Sequence, residues 1–412
     1  MKVIGIVAEY NPFHNGHLYH INRSVSLTKT KNVVVVMSGN FVQRGECAII
    51  DKHLRAKTAV QNGASLVLEL PTLYATQSAD LFAKGAVDIL NSLGIIDYLS
   101  FGSESGNLES LSSVASFIHE EPQEYKVLLR SYLKEGLSFP RARSRALEDL
   151  TGIGSISTPN DVLGVEYLKH LLRSSSDIKP ILVPRKGAGH NDTQIHEGLS
   201  SATSIRDYLE QMSKEFCGIS PLSSLELLSS IPPSTLDALL YSHTNYRWMN
   251  TDVFLPDIKT IILREMQEIK RYFEVSEGLE NRIYDNFLDS VSLEDICMKI
   301  KTKRYTLTRI RHILLNILLN ITKDTMKRLL SSEDIGYARI LAFDETGRKL
   351  LKKCNPCLPL INKASSFRPE NEKQELLWKS DHIADTLYYS RYDSPFSNSF
   401  VLSPVFVAKR NE

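Results

Sequence analysis

Short, continuous apolar runs alternate with amphipathic stretches through the first half of the chain. The runs are Lys2 to Val7, Val33 to Met37, Leu66 to Leu70, Tyr98 to Phe101 and Lys179 to Val183. Between them the apolar positions recur every three or four residues, which predicts helices over Leu18 to Leu27, around Asp51 to Gln61 and over Ala79 to Leu93. Gly63 and Gly94 close the last two. Strands that are apolar throughout, not only at every second position, belong to a parallel sheet covered on both faces. A helical insertion is predicted from about Leu108 to Leu150, then a soft link over Thr151 to Ser155 and a further helix opening at Pro159.

After about Cys217 the alternation stops and helical patterns follow one another until Tyr337. Tyr337 to Phe343, a turn over Asp344 to Gly347, and Arg348 to Lys353 then read as a small strand and helix unit. The expected class is α/β: a Rossmann-like parallel sheet in residues 1–216 and a mainly α-helical domain in residues 217–412.

Polar residues gather where such a sheet binds ligands. Glu9, Ser38, Glu69, Gly102 and Arg185 fall at or just past the C-terminal ends of the predicted strands. Directly after the first strand comes His14-Asn15-Gly16-His17 at a helix start, where unpaired backbone N–H groups favour an anion. Two imidazoles three residues apart lie side by side there, and Gly16 admits a close approach that a side chain would obstruct. Hydrogen bonds from His14 and His17 to phosphoryl oxygens suit nucleotidyl transfer, in which charge grows on those oxygens. The alternative is a pair of surface histidines or a chance metal pair. Ser200-Ser201-Ala202-Thr203-Ser204-Ile205-Arg206 reads alone as an ordinary helix cap; beside the histidines, Ser201, Thr203 and Arg206 suit the far phosphates of a triphosphate.

Composition adds limits. The 412 residues suffice for two domains, and a formal net charge of +1 gives no global pull towards nucleic acid or membrane. A polyanion partner therefore needs a local basic face. Lys299 to Arg311 supplies one, with Lys299, Lys301, Lys303, Arg304, Arg309 and Arg311, no acid, and Tyr305 as a base-stacking aromatic; the alternative is a solvated helix face. Five scattered cysteines and no signal-peptide pattern suit the cytoplasm, and Cys354-Asn355-Pro356-Cys357 has no second pair that would make it a zinc site. The longest apolar helix pattern, Ile313 to Ile321, is broken by Asn316 and Asn320 and falls short of the about 20 residues that span a bilayer.

The His-x-Gly-His and Ser-Ser-x-Thr-x-Ile-Arg stretches resemble the paired motifs of the nucleotidylyltransferase superfamily. Glu9 to His17, Ser38 to Glu46, Phe101 to Glu104 and Pro159 to Gly164, with Lys303 to Ile310 and Tyr337 to Phe343, together resemble the bacterial tRNA(Met) cytidine acetate ligase family over nearly the whole chain. The resemblance implies that ATP, with Mg²⁺, and acetate form acetyl-adenylate, and that the acetyl group passes to N4 of the wobble cytidine of elongator tRNA(Met). It also implies an ATP site at Val7, Ala8, Glu9, Tyr10, Asn11, Pro12, Phe13, His14, Asn15, Gly16, His17, Leu18, Tyr19 and His20, with Gly102, Asn160, Arg185 and Lys186. tRNA is expected on the second half, at Lys301, Lys303, Arg304, Tyr305, Arg309 and Arg311, with no obligate protein partner. Two departures are Cys47, where the family pattern has proline after Gly45-Glu46, and a thin polar tail after Ser394. The residues alone support less: an ATP-binding α/β domain performing adenylyl transfer, joined to a helical half with a basic face. A cofactor-type adenylyltransferase and a non-catalytic RNA-binding protein on the same fold remain open on that basis.

Overall fold

The structure is a computed structural model that describes residues 1–152, 156, 158–185, 200–215, 225–246, 248–276, 278–332, 334, 336–392 and 402–408. Lys186, Cys217 and the stretch 393–401 lie outside the described residues. In chain order the first half holds β1 (Ile4–Ala8), α1 (Asn15–Thr28), β2 (Val33–Ser38), β3 (Phe41–Val42), β4 (Glu46–Cys47), α2 (Lys52–Gln61), β5 (Leu66–Leu70), α3 (Thr72–Ala75), α4 (Ala79–Ser92) and β6 (Tyr98–Ser103). The insertion follows as α5 (Leu108–Glu120), α6 (Gln123–Lys134) and α7 (Phe139–Thr151), then α8 (Pro159–Arg173), β7 (Lys179–Pro184) and α9 (Ala202–Glu215).

Five strands are parallel in the order β5, β2, β1, β6, β7. The chain winds outward from β1 through β2 to β5, then crosses back to β6 and β7 on the other side. That reversal opens a crevice beyond the C-terminal end of β1, where open α/β sheets take their ligands. Val33 to Met37 are all fully buried, and they alternate between two cores. Val34 and Val36 pack in the larger one with α4, while Val33, Val35 and Met37 join Ile4, Ile6 and Ile21 in the smaller. A continuous apolar run is thus what a strand with helices on both faces requires.

The second half is helical through α10 (Leu225–Ser230), α11 (Pro233–Asn245), α12 (Leu255–Glu265), α13 (Leu279–Asn286), α14 (Leu293–Ile300), α15 (Leu307–Leu318) and α16 (Lys323–Ser331). The chain then supplies β8 (Ala338–Phe343), α17 (Glu345–Lys353), β9 (Leu360–Ile361), α18 (Glu372–Tyr389) and β10 (Val405–Phe406). Tyr337 to Lys353 is not a separate unit: β8 pairs antiparallel with β5, and β9 and β10 pair with β8. Every residue of β5 is buried, so leaving the N–H and C=O groups along its edge unpaired would be costly. The main sheet therefore takes strands from both sides of residue 217. No described helix is long and apolar enough to cross a membrane.

Candidate active site

His14 is the N-cap of α1. Its Nδ1 accepts the Gly16 N–H at 3.0 Å, and the Nδ1 of His17 accepts the His14 N–H at 3.2 Å. The two rings stack with centroids 3.8 Å apart. A Cβ on residue 16 would sit 2.8 Å from Cε1 of His14, so the close approach that requires glycine is that of the neighbouring imidazole. An Nδ1 that accepts a backbone hydrogen bond bears no proton, which places the hydrogen of each neutral ring on Nε2. Burial, reinforced by Arg185, Arg44 and Arg206, holds His14 down to about 3, and burial with His14 and Arg185 holds His17 well below its ordinary value. Both are therefore neutral donors through Nε2 at physiological pH.

His20 is held differently. Ser24 Oγ donates to the His20 carbonyl at 2.7 Å and so accepts from Ser100, whose oxygen receives His20 Nε2–H at 3.0 Å. Burial pushes this imidazole down to about 4. Its Nε2 is committed to the fold, so His20 does not duplicate the donor role of the stacked pair.

A polar ring joins the end of β1 to the hairpin β3–β4 and to α9. Arg206 donates from Nη1 to the Asn11 carbonyl at 2.7 Å and from Nη2 to Glu46 Oε1 at 2.6 Å. Arg44 Nη1 donates to Thr203 Oγ1 at 2.7 Å, and its Nε lies 3.9 Å from Glu9 Oε2. Ser201 caps α9, accepting the Ser204 N–H at 3.0 Å, and borders the cavity beside the histidines. Thr203 and Arg206 do not border it; they hold Arg44, Asn11 and Glu46 in place instead of facing a phosphate directly. Glu9 keeps Oε1 without a hydrogen-bond partner among the described residues, and burial raises its carboxyl group.

Across the crevice, Asp161 ties the start of α8 to the end of β6: it accepts Ser103 Oγ, the Ser105 N–H at 3.1 Å and Thr158 Oγ1 at 2.7 Å. This fixes Asn160, whose Nδ2 donates to Glu104 Oε1 at 2.5 Å, and Glu104 in turn lies 4.0 Å from Arg185 Nε. Gly102, Asn160 and Arg185 line one cavity of about 1540 Å³ with Val7, Ala8, Glu9, Tyr10, Asn11, His14, Gly16, His17, Tyr19 and His20. Four of the remaining predicted residues stand behind that wall. Phe13 is buried with its ring centroid 4.8 Å from that of Tyr10, Pro12 is buried, Leu18 packs in the smaller core, and Asn15 Nδ2 donates to the Ser229 carbonyl at 2.7 Å. Ser38 and Glu69 are also fully buried and do not reach the cavity; Glu69 is 2.6 Å from Lys52 Nζ, an ion pair inside the protein.

The same cavity reaches the second half of the chain, where Arg304, Arg309 and Arg311 border it. Arg311 is 2.5 Å from Glu294, and Lys299 is 3.0 Å from Asp295, so the first turn of α14 supplies the acids that the basic stretch lacks. Lys301 and Lys303 are exposed outside the cavity. Tyr305 is a packing residue in place of the expected stacking platform: it is buried, its hydroxyl donates to the Ser276 carbonyl at 3.4 Å, and Arg309 covers its ring at 5.2 Å. Contact between the two halves is direct. A Cβ on Gly45 (φ +81°) would lie 2.7 Å from Cβ of Arg311, and His312 Nε2 donates to the Gln43 carbonyl at 2.6 Å. Cys47, where the resemblance led us to expect proline, pairs with Phe41 in the hairpin and donates its N–H to Thr251 Oγ1 at 3.0 Å.

Arg44 and Glu104 were not singled out from the sequence, although each sits in a polar loop after a strand, which is the signal that marks them. The chain matches the model of the HIGH nucleotidyl transferase family over residues 1–399. It is 40% identical over 409 residues to a tRNA(Met) cytidine acetate ligase of Alkaliphilus metalliredigens, covering 94% of both chains. It is 41% identical over 401 residues to one of Caldanaerobacter subterraneus, covering 95% of this chain and 96% of the other. Among solved structures, Thermotoga maritima TmcAL without ligand superposes with a TM-score of 0.89 at 34% identity over 99% of this chain and all of the other. The same protein bound to alpha-thio ATP gives 0.87 at 33% identity over the same shares. With a histidine turn at the switch point of a parallel sheet and similarity along almost its whole length, the chain belongs to the HIGH nucleotidyl transferases, in the tRNA(Met) cytidine acetate ligase family.

Proposed function

We propose that this chain is an ATP-dependent tRNA(Met) cytidine acetate ligase. The observation that carries the reading is that one cavity is bordered both by the Nε2-donating histidine pair and by Arg304, Arg309 and Arg311 of the helical half. A nucleotide and an RNA strand would thus meet in the same space. In the first step an acetate oxygen bonds to the α-phosphorus of ATP while the bond to the bridging oxygen breaks and pyrophosphate leaves. His14 and His17 donate to the phosphoryl oxygens that gain charge, without titrating themselves. Ser201 and the start of α9 face the departing phosphates, with Thr203 positioning Arg44 beside them and Arg206 holding Asn11 and Glu46, and Arg185 stands on the opposite wall.

In the second step the cytidine N4 attacks the carbonyl carbon of the mixed anhydride, AMP leaves, and the amine loses a proton. Orientation of the two reactants is worth about 7–11 kcal/mol in favourable cases, and one cavity bordered by both halves of the chain supplies it. Mg²⁺ that accompanies ATP is held mostly by phosphates and water, with one or two carboxylates. Glu9 Oε1, without a hydrogen-bond partner among the described residues, fits that demand, and the ion would neutralise phosphate charge there. Asp80, Glu166 and His170 also lie close together, but Lys169, 2.6 Å from Asp80, and Arg143 already neutralise that group.

The test is incubation with ATP, Mg²⁺, labelled acetate and total bacterial tRNA, followed by nucleoside mass spectrometry. Label in N4-acetylcytidine of one tRNA species is the expected result. Acetate-dependent pyrophosphate exchange without labelled tRNA would keep the adenylation and discard the acceptor; absence of both would overturn the reading.

A further inference from the structure

Helix α7 borders the same cavity, and neither its residues nor the insertion carrying them has a part in the mechanism above. Its sequence, Phe139-Pro140-Arg141-Ala142-Arg143-Ser144-Arg145-Ala146-Leu147, separates two faces at helical spacing. Ala142, Ala146 and Leu147 are buried, while Arg141 and Arg145, one turn apart, are exposed. Arg143 is tied to Glu166, which is buried on α8, and this ion pair fixes how α7 is presented. Arg145 lies over the Tyr132 ring at 4.6 Å and 3.9 Å from Glu135, with its side chain 57% exposed, whereas Arg141 forms no ion pair or hydrogen bond among the described residues. At the first position of the helix Phe139 is 53% exposed and lines the cavity.

An aromatic ring left half in water, on the same cavity wall as an uncompensated guanidinium, is the combination that single-stranded nucleic acid recognition uses. The ring stacks a base and the cation meets the adjoining phosphate. We infer that the start of α7 is a second RNA contact, on which Phe139 stacks an unpaired base of the substrate tRNA while Arg141, with Arg145 beside it, holds the backbone. This rests on tRNA being the substrate. The RNA strand would then be gripped by the insertion as well as by α15, with the histidine pair opening onto the space between the two contacts. An unpaired strand is favoured over a duplex because an exposed phenyl ring gains nothing from stacked, paired bases.

The experiment measures binding of elongator tRNA(Met) to the full chain by fluorescence anisotropy over a series of salt concentrations, for wild type, Phe139→Ala, Phe139→Tyr and Arg141→Ala. Both alanine variants replace exposed side chains, and their melting temperatures are recorded alongside. The expected result is about tenfold weaker binding for Phe139→Ala, recovery in Phe139→Tyr, and for Arg141→Ala a salt dependence shallower by about one released ion. Variants that bind and respond to salt as the wild type does would overturn the inference alone. A wild-type chain that performs acetate-dependent pyrophosphate exchange yet neither binds nor acetylates tRNA would overturn the underlying reading with it.

Discussion

At the scale of single residues, the stacked pair His14 and His17 owes its chemistry to the atoms it presents to the backbone. Each Nδ1 accepts a main-chain N–H, so the donor aimed at substrate is always Nε2. His17→Ala removes one such donor and the cap it completes, and acetate-dependent pyrophosphate exchange should fall by about 100-fold or more. Full retention would remove His17 from the mechanism. The protonation state is checkable as well: with His14 held to about 3 and His20 to about 4, their ring NMR signals should show no titration between pH 8 and 5 in the free protein. A midpoint near 6.5 would contradict this. The linkage has a definite sign. Folded-state values below the unfolded 6.5 mean that these groups destabilise the fold as pH falls from about 6.5 towards 4, where only the unfolded chain takes up protons. The spacing of His14 and His17 made their stacking legible, because residues three apart share a helix face. Nothing in the sequence could show that Thr203 and Arg206 are taken by Arg44 and Glu46, or that Tyr305 points inward, since those outcomes depend on partners more than a hundred residues away or on which side of a turn faces the core.

At the scale of elements, the hairpin β3–β4 rests on α15 through a glycine and a histidine. Gly45 has φ +81° and faces the Arg311 backbone, so Gly45→Ala meets both an unfavourable backbone region and a clash. A loss of about 2 kcal/mol in urea unfolding is expected, together with weaker tRNA acetylation because Arg44 and Arg311 shift apart. Unchanged stability would show that the hairpin yields freely. The central strand β2 was legible because burial on both faces leaves an unbroken apolar run, and its neighbours because their shorter apolar runs recur between helical stretches. The hairpin strands, two residues each, are too short to leave any periodic trace. The pairing of β8 with β5 was hidden for another reason: a strand pattern says how a segment is buried, not which distant edge it will join.

At the scale of the molecule, a buried ionic network closes the fold. Lys52 Nζ lies 2.6 Å from Glu69 and 2.6 Å from Asp385 of α18, and Arg339 of β8 lies 3.0 Å from Asp385. Asn40 adds a hydrogen bond of 3.0 Å to the same aspartate. Lys52→Met would leave carboxylates buried with less compensation, at a cost of about 3–5 kcal/mol measurable by denaturant unfolding. A chain cut at residue 216 loses β8, Arg339 and Asp385 together, so it should fail to give a cooperatively folded ATP-binding domain by circular dichroism. If such a fragment did fold and bind ATP, the division at 216 would mark an independent domain.

The antiparallel pairing of β8 with β5 also sets a timetable. About 270 residues separate Leu70 from Ala338, which at a synthesis rate of about 5–20 residues per second amounts to roughly 15–50 s. Throughout that interval the nascent chain carries a largely apolar strand with one bare edge, open to chaperones and to neighbouring chains, until the ribosome delivers the segment that covers it.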